Sequence, residues 1–323
     1  LRLLVGQLTE QDRVAMVVYA GASGLVLPST PGNQRDKILS ALGRLQAGGS
    51  TNGGAGIQLA YKVARQSFRK GGINRVILAT DGDFNVGNTS QSGLVRLIEK
   101  ERESGVFLTA LGFGMGNYKD STMEKLANKG NGNYAYIDTI NEARKVLVNE
   151  AGATLVTIAK DVKIQVEFNP ARVSAYRLIG YENRLLRARD FNDDKKDAGE
   201  IGAGHSVTAL YEVVPAGVKA PSAGSVDKLK YQKPGAGPRL PSGASGMKQR
   251  RLSSASASGE LLTLKLRYKE PDGKTSKLLT TAVKDDQQVA ASTSLRFSSA
   301  VAAFGMLLRG SKHKGDASFA MVK

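Results

Sequence analysis

Apolar positions in the first half of the chain follow two different spacings. Short unbroken apolar runs predict strands that helices cover on both faces, and apolar residues three or four positions apart predict amphipathic helices. The predicted strands span residues 14–19, 25–27, 76–79, 106–111 and 134–137. The predicted helices span residues 34–45, 57–68, 94–103, 121–128 and 141–149. Strands and helices that alternate in this way are typical of an α/β fold with a doubly wound, mainly parallel, Rossmann-like sheet.

The pattern changes after about residue 153. Residues 161–168 alternate between apolar and polar side chains, which predicts a strand with one buried face. Further strands are predicted at 175–179, 206–214, 261–268 and 277–283, and a helix at 295–308. Pro271-Asp272-Gly273 separates the last two strands and predicts a hairpin. We therefore expect a first domain over residues 1–152 and a smaller α+β, mostly antiparallel domain over 153–323.

A basic stretch rich in Gly, Pro, Ser and Ala interrupts the second domain. The chain has a net charge of +17, and residues 216–258 hold eight basic side chains and one acidic side chain. This composition predicts a disordered insertion. Its charge could bind nucleic acid or an anionic surface without specificity, but Tyr231 is its one aromatic residue and cannot form a stacking platform. A solvated linker is the favoured interpretation, and no specific nucleic acid is expected as a partner.

Several classes of site and segment are excluded by composition. The chain has no cysteine and two histidines, so disulfides, thiolate zinc sites and histidine-rich metal sites are excluded. No apolar run approaches the roughly 18 residues of a transmembrane helix. The leucines at the start have helical spacing and no basic leader, so we interpret them as a helix entered partway and the chain as a fragment.

Two loops carry the candidate chemistry of the first domain. Residues 48–54 (GGSTNGG) lead into the second predicted helix, and residues 80–83 (TDGD) end the strand at 76–79. Ligands of open α/β sheets bind beyond the carboxyl ends of the strands, where both loops are expected. The Thr51 hydroxyl and the Asp81 carboxylate are hard oxygen ligands that suit magnesium.

Other interpretations of these loops are weaker. Asp81-Gly82 could form an ordinary turn, with the carboxylate capping the loop. Residues 48–54 lack the lysine and the spacing of a P-loop, so nucleotide binding is disfavoured. Tyr134 and Tyr136 alternate with Ala135 and are interpreted as strand packing. No candidate nucleophile has a plausible base, since His205 is expected in a surface turn, and the chain is therefore not expected to be an enzyme.

Longer segments around these loops resemble bacterial von Willebrand factor type A proteins. Residues 48–51 and 80–83 resemble two of the three segments of that family's metal-ion-dependent adhesion site. The other matching segments are residues 112–118 (GFGMGNY), 130–138 (GNGNYAYID), 164–170 (IQVEFNP) and 177–184 (RLIGYENR). In the bacterial subgroup with these segments, a C-terminal domain of uncharacterised function follows the type A domain. The similarity covers nearly the whole chain except residues 216–258.

The resemblance implies a metal-dependent protein-binding module, active in adhesion or as a scaffold. Thr51 and Asp81 would hold Mg²⁺, and an exposed acidic residue of a protein partner would complete the coordination. The family's first segment, Asp-x-Ser-x-Ser, is absent from this sequence, so we expect the first central strand to be missing and Mg²⁺ binding to be weak or absent.

The resemblance leaves three alternatives open. These are a non-catalytic subunit of an ATPase or metal-insertion complex, a hydrolase, and a non-specific binder of nucleic acid or of an anionic surface. Relatives often carry a secretion or lipoprotein signal, which implies a location in the cell envelope or otherwise outside the cytoplasm.

Overall fold

The structure is a computed structural model that describes residues 1–19, 24–46, 52–87, 90–181, 184–218, 253–285 and 290–323. It divides into two compact units. The first unit comprises residues 1–163, 187–206 and 266–278, and the second comprises residues 164–186, 207–265 and 279–323. The first unit therefore takes three stretches from beyond residue 152, where the sequence pattern places the domain boundary, namely residues 153–163, 187–206 and 266–278.

The strands of the first half form two sheets. Strands β1 (Arg13–Val18) and β2 (Gly24–Pro31) pair antiparallel. Strands β3 (Arg75–Thr80), β4 (Phe107–Gly112) and β5 (Tyr134–Tyr136) form a parallel sheet in that order. These strands coincide with the apolar runs in the sequence, and the fold class predicted for this half is confirmed. The division into two sheets agrees with the expectation that a central strand is missing.

Helices connect these strands and cover the parallel sheet. They are α1 (Arg2–Val5), α2 (Arg35–Gly43), α3 (Gly53–Gln66), α4 (Gln91–Arg102), α5 (Asp120–Lys129), α6 (Ile140–Arg144) and α7 (Ala151–Leu155). The Ser90 side chain caps α4 by accepting a hydrogen bond from the Gly93 amide at 3.1 Å. The helix predicted at 141–149 is confirmed as one helical segment, in which α6 ends at Arg144 and a π-helical turn follows over Lys145–Asn149.

The main core of the first unit lies between the parallel sheet and helices α3, α4 and α5. Its fully buried side chains are Ile57, Tyr61, Leu94, Ile98, Val106, Leu108 and Leu126. Burial of each large apolar side chain stabilises the fold by roughly 1.5–3 kcal/mol. This core fixes the ends of β3 and β4 relative to α3, which is what positions the loops of the candidate site.

The second half is antiparallel with one long helix. Its elements are β6 (Thr157–Phe168), β7 (Val173–Ile179), β8 (Gly199–Gly202), β9 (Leu210–Pro215), β10 (Glu260–Lys269), β11 (Lys277–Lys284) and α8 (Thr293–Leu308). One sheet has the order β11-β10-β6-β8, and β7 pairs antiparallel with β9. β10 and β11 are neighbours, as the Pro271-Asp272-Gly273 turn predicts. The strand predicted at 206–214 is wrong at its start, since β9 begins at Leu210.

The predicted disordered insertion lies mostly outside the described residues, because residues 219–252 are not described. The end of the predicted stretch contains a short 3-10 helix, Ser254–Ala257. In the parts of the chain that the structure covers, none of the helices combines the length and the apolar character that crossing a membrane requires.

Candidate functional site

Asp81 lies directly after β3, at the carboxyl ends of the parallel strands. Thr80 is level with Gly112 in the register, and its carbonyl oxygen accepts a hydrogen bond from the Phe113 amide at 2.9 Å. The Asp81 carbonyl oxygen accepts one from the Lys119 amide at 3.0 Å. Backbone contacts with the loop after β4 therefore hold Asp81 on both sides. We call the loops of residues 81–87 and 113–119, with the strand ends that carry them, the carboxyl edge.

The Asp81 side chain makes a local bond within its own loop. Its Oδ1 accepts a hydrogen bond from the Asp83 amide at 3.0 Å, and the Thr80 hydroxyl accepts one from the Gly82 amide at 3.2 Å. Gly82 has a φ of +80°, and a Cβ there would lie 3.1 Å from the Cβ of Lys119. Only glycine adopts this conformation in this space without strain. The turn predicted at Asp81-Gly82 is present, and the partly exposed carboxylate forms part of it.

The loop after β3 rests against the N-terminus of α3. A Cβ on Gly53 would lie 2.0 Å from the Phe84 ring, so the aromatic ring packs directly on the helix backbone. Asn52 caps α3, with its Oδ1 accepting a hydrogen bond from the Ala55 amide at 3.2 Å. A Cβ on Gly87 would lie 2.6 Å from that same Oδ1. The first residues of α3 and the Asp81 loop are therefore neighbours.

Thr51, the other predicted ligand, lies outside the described residues. It directly precedes Asn52, whose amide donates a hydrogen bond to the Tyr19 carbonyl oxygen at 3.0 Å. The Tyr19 hydroxyl in turn donates to the Ala79 carbonyl oxygen at 2.7 Å, two residues before Asp81. The described neighbours of Thr51 thus approach the end of β3. That Thr51 itself meets Asp81 stays a prediction.

The glycine-rich loop after β4 turns beside Asp81. Gly114 has a φ of +113°, and a Cβ there would lie 3.3 Å from the Asp81 Cβ. The Asn117 side-chain amide donates a hydrogen bond to the Asp83 carboxylate at 2.9 Å. The glycines of this loop thus allow a tight turn at this edge.

Three tyrosines at the carboxyl edge form a cluster that the sequence analysis missed. The Tyr118 and Tyr134 hydroxyl oxygens are 2.6 Å apart, and the Tyr134 hydroxyl donates to the Asp120 carboxylate at 2.5 Å. The Tyr136 hydroxyl donates to the Gly114 carbonyl oxygen at 2.7 Å, and its ring lies 4.7 Å from that of Tyr118. Tyr134 and Tyr136 were interpreted as strand packing. Tyr136 ends β5 level with Gly112, the last residue of β4, and this position is the signal for a role at this edge.

Burial raises the pKa of two phenols of this cluster. It is the largest cause that raises the pKa of Tyr134 well above its ordinary value, and the Asp120 carboxylate raises it further. Burial also raises the pKa of Tyr118. Both hydroxyls therefore remain neutral hydrogen-bonding groups at physiological pH.

The donor set of the carboxyl edge fits a hard cation in part. Carboxylate and hydroxyl oxygens are the ligands that magnesium prefers. However, the described residues contain no group of three or more His, Cys, Asp and Glu side chains that could hold a metal ion. A metal site at this edge would therefore need Thr51 and further oxygen donors besides Asp81. His205 is exposed, in agreement with the surface turn expected from the sequence.

A second group of polar side chains lies at the opposite, amino ends of the same strands. Arg75 begins β3 and donates hydrogen bonds to the hydroxyls of Thr109 and Thr157 at 2.6 and 2.7 Å. The Arg75 Nε, the Tyr61 hydroxyl and both carboxylate oxygens of Glu200 are buried and have no hydrogen-bond partner within the described part of the chain. We call Tyr61, Arg75 and Glu200 the amino-end cluster.

Burial dominates the electrostatics of the amino-end cluster. It raises the pKa of Glu200 well above its ordinary value, and the negative charges of Asp197 and Asp161 raise it further. Burial lowers the pKa of Arg75 to about 10, while the nearby Glu200 opposes that change. Asp197 itself accepts hydrogen bonds from Arg102 at 3.0 Å and Lys129 at 2.7 Å.

Two family profiles together account for nearly the whole chain. The von Willebrand factor type A domain matches residues 1–149, and the C-terminal domain of the uncharacterized protein YfbK matches residues 153–323. The chain belongs to the YfbK family. The resemblance to bacterial type A proteins with an uncharacterised C-terminal domain is thereby confirmed.

Among its relatives is the uncharacterized protein YfbK of Escherichia coli (strain K12). The two sequences are 46% identical over 323 residues, which cover 100% of this chain and 53% of the relative. The chain thus spans about half the length of that relative.

Solved structures with a similar fold include a von Willebrand factor type A protein from Catenulispora acidiphila. The match has a TM-score of 0.46 and 14% sequence identity, and it covers 95% of this chain and 66% of the Catenulispora chain. The conserved hypothetical protein BatB from Bacteroides thetaiotaomicron has a TM-score of 0.36 at 24% identity, over 46% of this chain and 82% of that chain.

Proposed function

We propose that this chain is part of a metal-dependent protein-binding protein in which the carboxyl edge binds the partner. The type A domain indicates an interaction module rather than an enzyme. The observation that carries the proposal is the contact between the Asp81 loop and the N-terminus of α3, where Phe84 packs on Gly53. This contact brings the residue after Thr51 beside the loop that carries Asp81.

In this proposal Thr51 and Asp81 hold Mg²⁺, directly or through water. The ion supplies a positive charge that an acidic side chain of the protein partner binds, in a charge-assisted contact. The chain's own residues orient this site. The Asp83 amide fixes one Asp81 oxygen at 3.0 Å, and the loops after β3 and β4 hold its backbone. The partly exposed carboxylate remains accessible from solvent.

Because this sequence lacks the Asp-x-Ser-x-Ser segment, Mg²⁺ should bind the chain weakly. We further propose that the intact protein acts in the cell envelope or otherwise outside the cytoplasm, as an adhesion or scaffold protein. The location and the role of the whole protein are proposals, because this chain spans 53% of the length of its relative.

Titration calorimetry of the chain with Mg²⁺ and with Mn²⁺ tests the metal site. We expect weak binding that Asp81→Ala abolishes. The matched control Asp83→Ala should retain it, because Asp83 is bonded to Asn117 and is not assigned to the ion. Equal binding by the chain and by its Asp81→Ala variant would falsify the metal-bridged mechanism.

A further inference from the structure

Helix α8 exposes a continuous apolar stripe along its whole length. Phe297, Val301, Phe304 and Leu308 are spaced by four, three and four residues, so they lie on one face of the helix. Their exposed fractions are 70%, 54%, 44% and 66%. We call these four side chains the α8 stripe. No residue of α8 is buried, although a helix as apolar as this one is ordinarily covered.

One side of α8 packs on the β7–β9 hairpin. The Arg177 guanidinium of β7 lies 3.9 Å from the Met306 sulfur. An apolar groove of about 390 Å³ lies between hairpin and helix, and its walls include Ile179, Leu210 and Ala302. Phe297 and Val301 of the stripe also line this groove. All four side chains of the stripe nevertheless remain at least 44% exposed.

The chain after α8 extends the exposed apolar surface. The rings of Phe319 and Phe304 meet edge to face, with centroids 6.0 Å apart. Phe319 is 57% exposed and Met321 is 71% exposed. Exposed contiguous apolar surface of this kind indicates a binding surface. A flat or deformable apolar surface would contact the exposed parts of these side chains.

The charges around the stripe indicate an anionic occupant. Residues 293–323 contain one acidic side chain, Asp316, and five basic ones, which are Arg296, Arg309, Lys312, Lys314 and Lys323. A second copy of this chain would bring the same basic groups together, and their repulsion opposes self-association through the stripe. Anionic phospholipid headgroups would attract them, while the acyl region accepts the apolar side chains.

We propose that α8 binds the surface of a membrane that contains anionic phospholipids. The helix lies along the surface, because the stripe runs along the helix axis. Phe297, Val301, Phe304 and Leu308 enter the boundary between headgroups and acyl chains, and the basic side chains contact the headgroups. This interaction is independent of the metal site at the carboxyl edge, and it is tested in the presence of a chelator.

The fluorescence of a single introduced tryptophan can report whether the stripe enters a membrane, because the chain contains no other tryptophan. The Phe297→Trp variant is mixed with vesicles of phosphatidylcholine alone or with an equal part of phosphatidylglycerol. We expect a blue shift of its fluorescence only with the mixed vesicles. The control Phe68→Trp replaces a ring of the first unit that is 44% exposed, and its emission should not shift.

Vesicle co-sedimentation measures the contribution of each group. Phe297→Ser/Val301→Ser should lower partitioning into the mixed vesicles by about tenfold or more, since two apolar side chains are removed. Lys312→Gln/Lys314→Gln should lower it by about fivefold for each charge at low salt, and less at high salt. The control pair Ile73→Ser/Val86→Ser removes exposed apolar side chains of the first unit and should leave partitioning unchanged.

Four outcomes would overturn the proposal. The first is the absence of binding to the mixed vesicles, and the second is binding that the stripe variant does not weaken. The third is a concentration-dependent dimer that the same variant abolishes without vesicle binding, since that would assign the stripe to a second copy. Capture of an acidic protein through the stripe, without vesicle binding, also counts against a lipid partner.

Discussion

The two ends of the parallel sheet in the first unit carry polar groups of opposite character. At the carboxyl edge, Asp81 and Asp83 are partly exposed, and each makes a hydrogen bond with its own or a neighbouring loop. At the amino ends, Arg75 and Glu200 carry buried polar atoms that lack partners within the described residues. The same strands β3 and β4 run between these two environments.

This difference in burial determines whether a substitution changes ligand binding or the stability of the fold. An exposed carboxylate that makes one local hydrogen bond can exchange it for a cation at low cost, since water screens and replaces its contacts. A buried guanidinium cannot lose its partners without leaving desolvated polar groups behind. We therefore expect substitutions at the amino end to change the free energy of unfolding, and substitutions at the carboxyl edge to change ligand binding.

The largest effect is expected at Arg75. Arg75→Ala leaves the hydroxyls of Thr109 and Thr157 without their hydrogen-bond donor and removes a positive charge near Glu200, so it should lower the free energy of unfolding by about 3 kcal/mol or more. Urea unfolding followed by circular dichroism measures this change. The control Arg96→Ala removes an exposed arginine of α4 and should change stability by less than about 0.5 kcal/mol. Equal effects of the two variants would show that Arg75 contributes no more to stability than an exposed arginine.

The next effect is expected where α3 meets the Asp81 loop. Gly53→Ala places a methyl group where Phe84 packs, so it should lower the free energy of unfolding by about 2 kcal/mol and displace the loop. Gly24→Ala is the control, because a Cβ there meets nothing within 4 Å. A Gly53→Ala variant as stable as the unmodified chain would show that this packing is not needed.

A gain in stability is expected at Glu200. Its pKa is raised in the folded state, chiefly by burial, so the unfolded chain releases this proton first as pH rises. Folding stability is therefore lost as pH rises above the ordinary pKa of 4.5 and through the folded value. Glu200→Gln removes this loss and should raise the free energy of unfolding at pH 7 by about 1–2 kcal/mol.

Unfolding curves at several pH values measure the Glu200 effect. Below pH 4.5 the two proteins should converge, because the carboxyl group is then protonated in both states. Glu10→Gln, at an exposed position, is the control and should leave the pH profile unchanged. A Glu200→Gln variant with the same pH slope as the unmodified chain would contradict the burial of an unpartnered carboxylate.

The smallest change in stability is expected at Asp81. Asp81→Ala loses one local hydrogen bond from the Asp83 amide and should cost about 0.5–1 kcal/mol, while it abolishes Mg²⁺ binding. If urea unfolding shows that the free energy of unfolding falls by more than about 2 kcal/mol, Asp81 contributes mainly to stability.

Much of the fold could be predicted from the sequence because its signals are local. The apolar runs at β3 and β4 follow from burial of both strand faces. The alternation in β6 follows from burial of one face. The position of Asp81 followed from the same signal, since a carboxylate directly after a buried strand must lie at the carboxyl end of the sheet. The tyrosine cluster was missed, because alternation alone does not distinguish strand packing from hydrogen bonding between hydroxyls.

The sequence by itself determined the order of strands and helices, the family, and the edge at which Asp81 lies. Only the tertiary structure decided that Glu200 is buried near Arg75, that residues 187–206 and 266–278 belong to the first unit, and that the α8 stripe is exposed. The reason is physical. The periodicity of apolar residues in strands and helices depends on neighbours two to four positions away. Burial and charge pairing depend on groups that folding brings together from distant positions.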